Sequence, residues 1–207
     1  DETLFLFSNQ TLYEATLTEK NKKRALFHIK REQYIPEPLF KISIAIPFTD
    51  STSVEEAVRN SVEAGIYSIF LYRAERSNLK KDFFERKKER FNDIIESAAS
   101  QSRRRCLPEI FIKSAEEIIK LSGRHLIVHP YQAQSIETVN TQAGENWIVW
   151  LGPEGGFSDS EIAFFKNSTA LFAKFNTPIL RMENAATLAV GIMRNKVPFE
   201  GDLFMPE

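Results

Sequence analysis

A chain of 207 residues, 43% hydrophobic and 27% charged, carries enough apolar material for one sizeable core plus a small accessory module, so one to two domains are expected. Its formal net charge of -1 excludes a globally basic nucleic-acid coat, and any RNA partner has to be held by local patches. A single cysteine, Cys106, and three scattered histidines, His28, His125 and His129, exclude an intrachain disulfide and match no zinc spacing, so no metal is expected. No apolar run approaches the roughly 20 residues that cross a bilayer, and the N-terminus has no signal-peptide pattern. A soluble, cytoplasmic protein with no membrane partner is expected, and the opening at Asp1 fits a processed or partial chain.

The first elements are short apolar runs separated by turn residues: Leu4 to Phe7, Leu12 to Leu17 after Ser8-Asn9, and Leu26 to Ile29. They predict antiparallel strands that bury little alone, hence part of a small barrel. Pro36 and Pro38 make Gln33 to Pro38 the best linker. From Lys41 the rhythm becomes strand, helix, strand, helix. Ile42 to Ile46 reads as a buried strand, Ser53 with Glu56 as a capping box opening a helix that Gly65 closes, and Ile66 to Tyr72 as the next strand. One long helix is predicted from about Leu79 to Ser100, with Phe84, Phe91, Ile94, Ile95 and Ala98 on its apolar face. Ser114 with Glu117 opens a short helix, Arg124 to Val128 and Trp147 to Leu151 are strands, and Ser158 with Glu161 caps another helix. A strand at Ala170 to Phe175 and a helix from about Glu183 to Lys196 complete the alternation. Such alternation implies an α/β fold with a mostly parallel sheet covered on both faces.

Ligands of open parallel sheets collect at the carboxyl ends of the strands. One loop there, Leu151-Gly152-Pro153-Glu154-Gly155-Gly156-Phe157-Ser158, joins a strand to a capped helix. Its glycines permit positive φ and close backbone approach, and a valine at Gly155 is expected to abolish binding for that reason. With no lysine followed by Ser or Thr the loop is not a Walker A cradle, and its glycines do not fit the dinucleotide spacing. The Glu154 carboxylate repels phosphates but tolerates a neutral or cationic ligand, such as the sulfonium of S-adenosylmethionine (SAM). The competing reading is a tight turn with Glu154 in solvent. A second loop, Asn176 to Ala186, runs from the last strand into the last helix with Arg181 and Glu183 near the helix start. Arginine there opposes the helix dipole, which points to another task or to a surface ion pair.

Leu151 to Ser158 resembles the GPEGG-F/L-S/T loop, and Ile179 to Ala186 the I-L-R-x-E-x-A segment, of the RsmE family: SPOUT-class methyltransferases that modify N3 of a uridine in small-subunit (16S) ribosomal RNA. The likeness extends through Glu75-Arg76-Ser77, Gln101-Ser102-Arg103, Pro108 and His129, and covers nearly the whole chain from Lys41. It implies a SPOUT-type sheet with a C-terminal trefoil knot at residues 36–207, preceded at 1–35 by a partial PUA-like RNA-binding barrel whose earlier strands are missing. It further implies SAM as cofactor, held by His129, Leu151, Gly152, Pro153, Glu154, Gly155, Gly156, Asn176, Ile179, Leu180, Arg181 and Ala185. The implied partners are 16S ribosomal RNA or the small ribosomal subunit and a second copy of the chain. The homodimer would use the final helix, whose Ala185, Ala186, Leu188, Ala189 and Ile192 offer a small-residue apolar face.

Departures from the family concentrate on the RNA side. Met182 and Asn184 replace threonines beside Arg181 and Glu183, Phe48 and Thr49 stand for a lysine and glycine, and Asn60 and Val62 for a Lys and Thr. Ser100 replaces an acid and Arg104 a glycine. RNA contacts are expected from Arg76, Gln101, Arg103, Arg104 and Arg105, with Arg73, Lys80 and Lys81 extending a basic face; solvated charge beside a helix is the bland reading. The catalytic pair implied is Glu183 as base for the uracil N3 proton and Arg181 as anion stabiliser or phosphate anchor, with exchange of roles open. The alternatives are a non-catalytic RNA-binding or SAM-sensing paralogue and, less well matched, a small-molecule methyltransferase.

Overall fold

The computed structural model describes residues 3–8, 10–77, 81–131 and 133–197. An antiparallel sheet, β1 (Thr3–Ser8), β2 (Thr11–Lys20) and β3 (Ala25–Tyr34), comes first, with β2 in the centre. β3 runs into the expected linker and is exposed along its whole length, while Leu12 and Ala15 of β2 are buried.

The remaining strands form one seven-stranded sheet in which every pair is parallel. In chain order they are β4 (Lys41–Pro47), β5 (Ser68–Tyr72), β6 (Glu109–Ile112), β7 (Arg124–Val128), β8 (Gln134–Ser135), β9 (Asn146–Trp150) and β10 (Leu171–Lys174), and in space β6-β5-β4-β9-β7-β10-β8. Strands β4, β5 and β6 step outward one way, and β9 lies on the other side of β4, so the winding direction changes between β4 and β9. A crevice at the carboxyl ends of the strands belongs at such a reversal.

Side-chain alternation along the strands sorts the core into two layers. Ile44, Ile46, Ile69, Leu71, Leu126 and Val149 face the helices α1 (Ser51–Glu63), α3 (Lys88–Gln101) and α6 (Met182–Arg194). Ala45, Phe70, Tyr72, Ile127, Ile148 and Trp150 face α4 (Ala115–Ile118) and α5 (Asp159–Lys166). The two helices that need sharp starts here, α4 and α5, carry complete capping boxes, Ser114 with Glu117 and Ser158 with Glu161, as expected.

Three local expectations change. The α1 cap is Asp50, which accepts from the Ser53 N–H at 2.9 Å, so the helix starts earlier than the Ser53 capping box predicts. The single helix predicted over Leu79 to Ser100 is α2 (Lys81–Glu85) and α3, separated at Arg86-Lys87. That break turns Phe84 into the core, stacked on Phe48 at 4.3 Å and on Phe91 at 6.0 Å between centroids. Strands β6 and β8, absent from the sequence reading, are the short outermost strands of the sheet, where a few residues give no periodic signal.

Candidate active site

Strands β9, β7 and β10 are neighbours, and their carboxyl ends carry the glycine loop, His129 and the loop from Phe175 to Arg181. Topology thus brings together the segments picked out in the sequence. The His129 amide donates to the Ala173 carbonyl at 2.8 Å, extending the β7–β10 pairing to the rim. The His129 ring stacks on Phe157 of the glycine loop, 6.5 Å between centroids at 26°, and meets Phe172 edge-on at 6.3 Å. Its Nδ1 engages the backbone of Tyr131.

In the glycine loop, Gly156 donates to the Pro153 carbonyl at 2.8 Å and holds φ +69, whereas Gly155 does not lie in the left-handed region. The expectation for Gly155 is therefore corrected: a Cβ there meets the Arg76 Cδ at 3.3 Å, a flexible neighbour, and the residue that requires glycine is Gly156. At Gly152 a Cβ would press on the Phe157 ring at 3.2 Å. Among the described residues, the backbone N–H groups of Gly152, Glu154 and Gly155 have no protein acceptor, a set of donors open to a ligand. Glu154 is exposed.

The loop after β5 buttresses this turn. Arg76 donates to the Gly155 carbonyl, Glu75 N–H donates to Glu161 at 3.0 Å, and Ser160 donates to the Glu75 carboxylate at 2.6 Å. The hydroxyls of Ser160 and Ser158 hold the Glu75 carboxyl below its ordinary range. Behind the turn, Trp150 donates from Nε1 to His125 Nδ1 at 3.0 Å, which leaves the ring proton on Nε2 facing the Leu121 carbonyl. Burial lowers the His125 pKa, so the imidazole stays neutral. The Tyr72 hydroxyl, buried beside Trp150, donates to the Leu151 carbonyl at 2.6 Å.

In the second loop, Asn176 donates to the Ser135 hydroxyl at 3.1 Å, and Ile179 is 78% exposed, an apolar side chain held out at the rim. Leu180 is half-buried. Arg181 occupies the N-cap position of α6 with extended backbone and no side-chain cap, and is exposed. Glu183, in the first turn where the helix dipole favours an anion, is only 8% exposed, and no side chain among the described residues hydrogen-bonds to its carboxylate.

Two other groups of residues separate differently from their expected roles. Exposed Arg76, Gln101 and Arg103, with Arg73, lie on the surface, while Lys80 and the side chain of Lys81 fall outside the described residues. Arg104 is corrected: it is 6% exposed and donates to the Val62 carbonyl at the end of α1 at 3.1 Å, so it does not face a phosphate. The cause is the end of α3, where Arg103 N–H returns to Ser100 at 3.2 Å and Arg104 N–H to Ala99 at 2.9 Å. That Schellman pattern turns Arg104 inward and puts Arg103 at φ 55, a position that glycine favours. Arg105 is half-buried. Arg104→Ala is therefore expected to lower stability by about 2 kcal/mol, as for a buried charged donor, with a fall in melting temperature. Arg103→Gly should stabilise by about 1 kcal/mol by relieving left-handed strain, while weakening RNA binding. Opposite signs in thermal melts of the two variants check this.

On α6, Ala185, Ala186 and Ala189 are packed inside their own subunit, correcting their assignment to a dimer face. What remains outside is a ridge of Thr187 and Leu188 between two open grooves. One, about 610 Å³, is lined by Asn60, Glu63, Ala64 and Asn184; the other, about 570 Å³, by Glu137, Gly191, Ile192, Asn195 and Lys196.

A parallel sheet with a donor-rich glycine turn at its winding reversal places the chain among α/β proteins that take a ligand at the carboxyl ends of their strands. The chain belongs to the RNA methyltransferase domain family, whose model matches residues 36–194. It is 30% identical over 191 residues to ribosomal RNA small subunit methyltransferase E 2 of Borreliella burgdorferi, covering 89% of this chain and 78% of that protein. It is 25% identical to ribosomal RNA small subunit methyltransferase E of Aquifex aeolicus, covering 94% and 86%. Among solved structures, a methyltransferase of Legionella pneumophila in complex with the bound cofactor SAM superposes with a TM-score of 0.85 at 25% identity, covering 94% of this chain and 83% of that one. The fold also matches ribosomal RNA small subunit methyltransferase E of Neisseria gonorrhoeae, with a TM-score of 0.84 and 24% identity over the same shares. No helix among the described residues is long and apolar enough to cross a membrane, and those residues contain no cluster of metal ligands.

Proposed function

We propose that this chain is a SAM-dependent methyltransferase acting on N3 of a uridine in 16S ribosomal RNA, in the cytoplasm. The observation that carries the cofactor assignment is the glycine turn, whose Gly152, Glu154 and Gly155 amides have no acceptor among the described residues, next to the His129–Phe157 stack. The site fits the cofactor chemically: backbone donors for a heterocycle, apolar surface at Ile179 and Leu180, and the Glu154 carboxylate, which tolerates a sulfonium cation. His129, Leu151 to Gly156, Asn176, Ile179 to Arg181 and Ala185 form the proposed binding set. When bound, SAM supplies an activated methyl group. Everything else falls to the chain.

Uracil N3 is a poor nucleophile while it carries its proton. Glu183 accepts that proton as the ring nitrogen forms its bond to carbon and the carbon–sulfur bond breaks, leaving the neutral thioether product. The residue is 8% exposed and its side chain accepts no side-chain hydrogen bond among the described residues, so the carboxylate is free to take up a substrate proton. Arg181, exposed beside it, stabilises the anion that develops on the ring or anchors a phosphate. Arg76, Gln101, Arg103 and Arg105 are proposed to meet the RNA, with residues 1–35 as a partial PUA-like RNA-binding unit and residues 36–207 as a SPOUT domain with a trefoil knot. Calorimetric titration with SAM tests the cofactor assignment: micromolar, saturable binding supports it, and absence of heat and of any thermal stabilisation refutes it.

A homodimer is part of this reading, with the Leu188 ridge of one copy seated in a groove of the other. Leu188→Asp should shift the sedimenting species from dimer to monomer at micromolar concentration without loss of the fold. A wild-type monomer under the same conditions contradicts the assignment.

A further inference from the structure

We propose that Tyr72 is a positioning residue that aims the Gly152 amide at the cofactor, an inference that rests on the SAM assignment above. The reason begins with a proline. Leu151 N–H donates to the Ala45 carbonyl at 3.0 Å, and continuation of a parallel ladder would return a hydrogen bond from the amide of residue 47 to the Leu151 carbonyl. Residue 47 is Pro47 and has no N–H, and the β4–β9 register ends at Ala45 and Trp150. The Leu151 carbonyl, buried at the end of β9, would be left without a donor.

Tyr72 faces Pro47 across the β4–β5 pairing, and its hydroxyl supplies the missing donor at 2.6 Å. Its ring is locked edge-on against Trp150 at 5.3 Å, so the hydroxyl has little freedom. Burial pushes its pKa well up, and the group remains a neutral donor. A trans peptide points its N–H opposite its C=O. Fixing the Leu151 carbonyl toward Tyr72 therefore fixes the Gly152 N–H away from it, and that N–H has no acceptor among the described residues. The peptide that opens the glycine turn is oriented by a side chain two strands away.

The test is calorimetric affinity for S-adenosylhomocysteine, the demethylated product, in wild type, Tyr72→Phe and Tyr72→Phe/Pro47→Ala. Wild-type binding establishes the cofactor assignment independently of Tyr72. Tyr72→Phe keeps the ring and should raise Kd about tenfold, the worth of one hydrogen bond. Pro47→Ala restores a main-chain donor and should recover most of that loss, a rescue that a general packing defect would not permit. Unchanged affinity in Tyr72→Phe, or a loss that Pro47→Ala does not repair, overturns the proposal. Should the variants fail to fold, the wild-type Gly152 amide resonance decides: it should move strongly on adding product, and an unmoved resonance at saturation overturns the proposal equally.

Discussion

Glu183→Gln is expected to lower methyl transfer by ~100-fold, the low end for loss of a general base, with SAM affinity unchanged. The amide is isosteric and cannot take up the N3 proton. The substitution falls at a position that is 8% exposed and has no side-chain partner among the described residues, so it breaks no internal hydrogen bond. Arg181→Ala should behave differently. This exposed N-cap residue makes no side-chain capping bond, so apo stability should change by less than about 0.5 kcal/mol, while RNA affinity, turnover or both fall. Raising the pH toward the pKa of the uracil ring separates the roles, because a substrate already deprotonated has no need of a base. The Glu183→Gln defect should shrink with rising pH and the Arg181→Ala defect should persist. Equal, pH-independent losses would mean that Glu183 only orients its neighbours.

Gly156→Val should raise the Kd for SAM at least ~30-fold, and Gly155→Ala should scarcely change it. The left-handed region costs an L-residue about 1–2 kcal/mol, and a β-branched one more, which corresponds to a factor of roughly 30 at the upper figure. Space is not the obstacle at Gly156, since nothing lies within 4 Å of a methyl group placed there; the backbone angle of +69 is. A valine relieves its strain by abandoning the turn closed by the Gly156 to Pro153 hydrogen bond, and the ligand donors lose their arrangement. At Gly155 the added methyl only displaces the flexible Arg76 Cδ at 3.3 Å. Titration calorimetry on both variants reads the difference directly, and comparable losses would contradict these distinct roles for the two glycines.

Much of this architecture is written in local pattern. The Ser114–Glu117 and Ser158–Glu161 capping boxes, the β-branched run of β4 and the two loops with their glycines, Arg181 and Glu183 are short-range signals, and each appears where expected. What escaped depends on long-range contact. Arg104 reads as one of three adjacent cations, and only the closing turn of α3 decides that it faces Val62 rather than solvent. The alanines of α6 have the same composition whether they meet a partner or their own sheet. Which glycine bears positive φ is set by closure of the turn on Pro153, beyond what glycine spacing encodes. Tyr72 carries no local mark at all; its signal is Pro47 on the neighbouring strand, legible only once the register is known.

Whether the chain methylates N3 of a 16S uridine is decided by incubating it with isotopically labelled SAM and small ribosomal subunits lacking the modification, then digesting the RNA to nucleosides for mass spectrometry. Label is expected in N3-methyluridine at a single site of 16S RNA, and is expected to be lost in Glu183→Gln. Saturable SAM binding with no label in RNA, or label in any other nucleoside, would contradict the proposed activity.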